Sequence, residues 1–118
     1  MPRFTFARSD RIRKRWEFIR LSKIGKAAYN QHFVALLCPG RGEKTCLGIT
    51  ASRKVGNAVA RNRVKRLIRE YFRQNRQNIS GVWDINIIVK KEAARLPSER
   101  TFSSLKNIFS RISRNVQH

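Results

Sequence analysis

Residues 57–76 constrain the fold more than any other stretch, because their pattern fits a helix whose two sides cannot share one environment. At about 100° per residue, Ala60, Val64, Leu67, Ile68, Tyr71 and Phe72 fall in one arc of roughly 140°, the width of a stripe that packs on a core. Opposite them, Asn62, Lys65, Arg66, Arg69, Arg73 and Arg76 share a sector of about 100°, with Arg61 and Arg63 at the two borders. Only Glu70 interrupts the cations. Each like-charge pair at i,i+4 opposes an isolated helix by about 0.2–0.5 kcal/mol, so this comb calls for an anion to offset it. A face that is merely solvated is the plainer alternative, but such faces ordinarily mix signs. Asn57 has its own simple reading as a helix N-cap, which needs no ligand.

The rest of the composition points the same way. The 118 residues carry 27 Lys and Arg against 7 Asp and Glu, a net charge of +20 and a pI near 11.7. A compact chain so charged repels itself, and a polyanion relieves that repulsion; nucleic acid is the default partner. An acidic membrane surface would ask for a helix with bulky apolar anchors on its free side. The hydrophobic share of 41% is enough for one packed core, and the length fits a single domain, residues 1–118. No stretch is apolar enough to span a bilayer and the start lacks a signal-type apolar core, so a cytoplasmic location is expected. Cys38 and Cys46 read as buried thiols in a reducing compartment. Their spacing with His32 and His118 matches no common zinc site.

Nine cations fall in residues 1–26 and nine in 53–76, whereas 27–51 contain only Arg41 and Lys44 and turn apolar. Ser9 is a plausible N-cap for a first helix carrying Ile12, Trp16 and Ile19 as its apolar stripe, closed by Gly25. Trp16 reads as core or as a half-buried anchor. Residues 32–38 (HFVALLC) form an apolar run of strand length, broken by Pro39-Gly40-Arg41-Gly42, and residues 45–52 return as a second strand. Residues 83–90 make a third. Pro97 and Ser98 open a last helix with Phe102, Leu105, Ile108, Phe109 and Ile112 on one side. The carboxylates are scattered, without a pair spaced to build a two-metal nuclease site by itself, and His32 is better read as structural or a weak RNA contact than as a general base.

The run Lys54-Val55-Gly56-Asn57-Ala58-Val59-Ala60-Arg61-Asn62-Arg63-Val64-Lys65-Arg66-Leu67-Ile68-Arg69 resembles the signature of the bacterial ribonuclease P protein component, with the Arg61-Asn62-Arg63 triplet at its centre. The likeness extends over essentially the whole chain. It implies an α/β (α+β) two-layer sandwich with a small mixed sheet, in the order α-β-β-α-β-α with room for one more short strand. It also implies a left-handed crossover around the signature helix, against the usual right-handed rule. The implied activity is a subunit's: a large catalytic RNA removes the 5′ leader of precursor tRNA with magnesium bound mainly by that RNA, and the protein assists. The resemblance thus names the catalytic RNA and the precursor leader as partners, with no membrane and no obligatory protein partner, and no catalytic residue or metal ligand in the protein. The alternative is a small basic ribosomal RNA-binding protein.

Carried over position by position, the resemblance places Lys54, Asn57, Arg61, Asn62, Arg63, Lys65, Arg66 and Arg69 against the catalytic RNA, with Arg11 and Arg13 extending that contact. It assigns Phe18, Phe33, Val34, Leu36 and Ser22 to the leader. Single strands are held by cationic grooves with aromatic platforms. Ser22 and Leu36 stand where the family often has aromatics, so stacking is expected to be thinner and phosphate contacts more important. Packing between helix and sheet is the plainer role for Phe18.

Overall fold

The computed structural model describes residues 8–116. A short 3-10 turn, Arg8–Asp10, leads into α1 (Arg15–Ile24), β1 (Lys26–Tyr29), β2 (Phe33–Pro39), β3 (Cys46–Thr50), α2 (Ala58–Asn75), β4 (Trp83–Val89) and α3 (Ser98–Val116). The strands lie in the order β1-β2-β4-β3. The β1–β2 and β2–β4 pairs are antiparallel, and β3–β4 is parallel, with α2 forming the crossover between them. The expected mixed sheet with its helices is therefore present, and β1 is the additional short strand.

Alternation along β2 divides the molecule. Phe33, Ala35 and Leu37 enter the main core with Ala28, Leu47, Ile85, Ile87 and Val89, and α2 and α3 cover them with Val64, Ile68, Phe72, Leu105, Ile108 and Ile112. Each of these side chains larger than alanine contributes about 1.5–3 kcal/mol when fully withdrawn from water. α2 begins where Asn57 Oδ1 accepts from the Ala60 N–H at 2.9 Å, after Gly56 at φ +154°. A side chain at Gly56 would be strained in that turn.

The other sheet face carries three rows across the strands: Tyr29–Val34–Ile88–Thr50, Ala27–Leu36–Asn86–Gly48, and Cys38–Asp84–Cys46. Among the described residues α1 and the segment before it cover this side, with Ile12, Phe18, Leu21, Leu36, Cys38 and Cys46 in a second, smaller apolar cluster. At Gly48 an added Cβ would lie 2.6 Å from Phe18 Cε1 and 3.1 Å from Ile12 Cβ. The absent methyl is what lets the Phe18 ring settle onto the sheet.

The first helix starts later than Ser9 suggests. Arg11 bridges to Leu47 and the Ile12 N–H donates to Leu47 O at 3.0 Å, so the chain there runs extended along the free edge of β3. Helix begins only at Arg15, where Glu17 Oε1 accepts from the Lys14 N–H. The helical phase shifts accordingly. Phe18 and Leu21 face the sheet, while Trp16 is 47% exposed and Ile19 40%. Trp16 is thus not core; the Arg41 guanidinium stacks 4.1 Å from its ring centroid.

Candidate nucleic-acid interface

The two-faced helix places its comb as its periodicity requires, but the comb is shorter than the sequence suggests. Arg73 forks onto Glu70, and Arg76 pairs with the buried Asp10 at 3.0 Å while donating to Thr45 O at 2.8 Å. Lys44 Nζ holds Asp10 from the other side at 2.7 Å. Arg73 is thus tied to its own helix, and Arg76 joins α2 to the N-terminal turn and to the start of β3. Lys65, Arg66 and Arg69 have no carboxylate within ion-pair distance among the described residues, and Asn62 and Arg66 are exposed. The cations facing outward therefore occupy the first three turns of α2.

At the borders, Arg63 donates to Ser98 Oγ at 3.3 Å, at the start of α3, and Arg61 is partly covered with its Nε unbonded among the described residues. Lys54 is exposed in the turn that precedes α2. Asn57 spends its oxygen on the cap, leaving its amide Nδ2 as the donor.

Tertiary structure joins this comb to the open sheet face. Arg11, drawn along the β3 edge, sits beside Arg69, and the Arg69 pKa is pushed down by burial first and by the neighbouring Arg11 charge second. Arg11 and Arg69 border two hollows. One, about 410 Å³, is completed by Arg66, Leu67, Glu70 and Arg73; the other, about 240 Å³, by Ile12, Arg13, Phe18, Leu47, Gly48 and Ile49. Residues from the N-terminal segment, α1, β3 and α2 thus meet in one continuous cationic surface with an aromatic edge. Such a surface can hold phosphates on its guanidinium groups and a base against Phe18.

The leader set divides. Phe18 is partly exposed at the Gly48 notch, Val34 and Leu36 lie on the open face, and Ser22 is exposed on α1. Phe33 is a correction: it is 0% exposed, packed beneath α2 and α3, because neighbours along a strand point to opposite faces. A buried ring there cannot receive a base. His32 is held structurally, its Nδ1 2.8 Å from Ser104 Oγ.

One aromatic on the open face escapes the sequence reading. Tyr29 ends β1 opposite Val34 and is 58% exposed. Its strand is only four residues long and has no apolar run to announce it. The usable signal is Asn30, whose Oδ1 accepts from the His32 and Phe33 N–H groups and whose own N–H donates to Phe33 O, closing the hairpin.

The carboxylates near this surface are committed to cations: Asp10 to Lys44 and Arg76, Glu70 to Arg73, and Asp84 to Arg20 at 3.4 Å and Arg41 at 3.9 Å. Burial pushes the Asp84 pKa up, against the opposing pull of Arg20 and Arg41. Among the described residues no three His, Cys, Asp or Glu converge as metal ligands.

Known proteins share this arrangement over most of their length. The family model Ribonuclease P matches residues 6–113. The ribonuclease P protein component of Desulfatibacillum aliphaticivorans is 40% identical over 118 residues, covering 100% of both chains, and that of Desulfosudis oleivorans is 44% identical over 114 residues, 97% of this chain and 94% of its own. Among solved structures, the Staphylococcus aureus RNase P protein superposes with a TM-score of 0.81 at 34% identity, covering 86% of this chain and 93% of that one. The Thermotoga maritima RNase P protein gives 0.78 at 34%, covering 86% and 96%. A basic crossover helix, a sheet with one open face and relatives matched nearly end to end lead to one conclusion: this chain belongs to the ribonuclease P protein component family, the protein subunit of the endoribonuclease that matures tRNA 5′ ends.

Proposed function

We propose that the chain docks on the catalytic RNA of ribonuclease P through Lys54, Asn57, Arg61, Asn62, Arg63, Lys65, Arg66 and Arg69, with Arg11 and Arg13, and holds the 5′ leader of precursor tRNA on the open sheet face. The observation that carries this reading is the continuity between comb and sheet at Arg11 and Arg69. Guanidinium forks fix phosphates in register, and Asn62 donates to and accepts from a sugar or base edge. Phe18, Val34, Leu36 and Ser22 line the leader's path, and Tyr29 adds an aromatic surface at its far end. Magnesium, carried by the RNA, supplies the hydrolytic chemistry; this chain's residues neutralise and orient the strands around it. The proposed setting is the cytoplasm.

Cleavage of a precursor tRNA by the catalytic RNA at limiting magnesium, with and without the protein, tests the reading. The protein is expected to accelerate cleavage, and R66E/R69E to lose most of the gain, with affinity for the RNA falling on the order of 10- to 100-fold. With about six phosphates contacted, log affinity is expected to fall with log salt at a slope of roughly −4 to −5. Absence of stimulation, or a flat salt response, overturns it.

A further inference from the structure

The comb lies by the β3 edge of the sheet, but the largest hollow among the four described lies by the opposite edge. It measures about 550 Å³ and is lined by Asn30, Gln31 and His32 from the β1–β2 turn, by Leu96, and by Arg100, Ser103, Ser104, Asn107 and Arg111 of α3. No carboxylate lines it, and neither Arg100 nor Arg111 has an acidic partner within ion-pair distance among the described residues.

Its floor is built rather than incidental. The Asn30 amide nitrogen donates to Ser104 O at 3.0 Å, to Ser104 Oγ at 3.1 Å and to Asn107 Oδ1 at 3.1 Å, while Asn30 Oδ1 accepts from the turn backbone. His32 Nδ1 lies 2.8 Å from Ser104 Oγ, leaving Nε2 as the ring's remaining polar atom. Turn and helix are thereby locked together, with exposed donors arrayed along their seam.

Spacing selects the occupant. Positions 100, 103, 107 and 111 return to one side of a helix, and residues 100 and 111 are separated by about 16 Å along the axis. Two arginines so placed along a hollow without a carboxylate suit the row of phosphates of a polynucleotide backbone better than a single small anion.

We infer that the hollow between α3 and the β1–β2 turn is a second RNA contact, which takes consecutive phosphodiesters of a strand other than the one gripped by α2. The inference rests on the RNA-binding reading above and extends it to the far edge of the sheet. β1 and β3 are three strand spacings apart, about 14 Å, so the protein engages its RNA from two sides.

Salt-dependent binding of the full-length protein to the ribonuclease P RNA of the same organism tests this. R100Q/R111Q is expected to make the log–log salt slope shallower by about 1.5, two contacts at roughly 0.7–0.9 each, and R100K/R111K to restore most of it. R66E/R69E serves as the comparison. If R66E/R69E weakens binding while R100Q/R111Q leaves the slope unchanged, the second contact is overturned and the comb stands; if neither variant changes binding, both readings fail. Adenosine monophosphate and inorganic phosphate, followed through the amide resonances of Asn107 and Arg111, are expected to bind weakly without competing against the RNA. Tight, saturable binding of either small anion overturns the assignment to RNA, as does a slope change that lysine does not rescue.

Discussion

The two faces of the sheet are made from the same strands and put to opposite uses. Phe33, Ala35 and Leu37 vanish beneath two long helices, whereas Val34 and Leu36, one residue away, stay partly open under a single ten-residue helix. Asp84 and Asn86 alternate in the same manner with Ile85 and Ile87 on β4. The closed face supplies cohesion; on the other face Asp84 and Asn86 are buried at 6% and 4% exposure, and Phe18, Tyr29, Val34, Leu36 and Thr50 remain within reach of a ligand. A small domain with one modest core can afford to leave one side thinly covered only because the other is packed continuously.

The sharpest way to break this contrast is to truncate neighbouring residues of β2. Phe33→Ala is expected to cost about 3–5 kcal/mol in denaturant unfolding, and Val34→Ala about 1 kcal/mol. Equal losses would mean that the open face is as load-sharing as the core. Next in size, Tyr29→Ala is expected to lower the preference for precursor over mature tRNA about five- to a hundredfold, the equivalent of one lost base stack, with Tyr29→Phe near wild type and neither variant changing the melting temperature. A preference unchanged in Tyr29→Ala would remove Tyr29 from the leader path.

The smallest effect concerns acid. Burial raises the pKa of Asp84 in the folded protein, so the native state keeps a proton that the unfolded chain has already released. That contribution to stability is full below the ordinary carboxylate pKa and is lost as pH rises through the raised value. Asp84→Asn is expected to flatten this decline in melting temperature measured across the mildly acidic range. A variant whose profile parallels the wild type would show that Arg20 and Arg41 already cancel the burial.

What could be read in advance follows from the range of the interactions involved. The α2 comb was legible because helical periodicity is local, and Asn57 was legible as a cap for the same reason. Its shortening was not: Asp10, which takes Arg76, is distant in sequence and arrives through the fold. The run HFVALLC carries no alternation of polarity, so nothing in it separates Phe33 from Val34. Ile19 lost its expected burial, and Trp16 took the half-buried of its two expected places, because Ile12 left the helix to join the β3 edge. The joining of comb and cleft at Arg69 and Arg11 likewise required the N-terminal segment to be placed.

The row Cys38–Asp84–Cys46 also governs how the protein responds to air. Two strand spacings separate the cysteine backbones by about 10 Å, beyond the roughly 7 Å that a disulfide tolerates. Oxidation therefore cannot staple the folded chain to itself. Cys38 is enclosed, and Cys46, though partly reachable, has its thiol pKa pushed up by burial and by Asp84 and Asp10, so both sulfurs resist oxidation and a covalent dimer could form only through Cys46, and slowly.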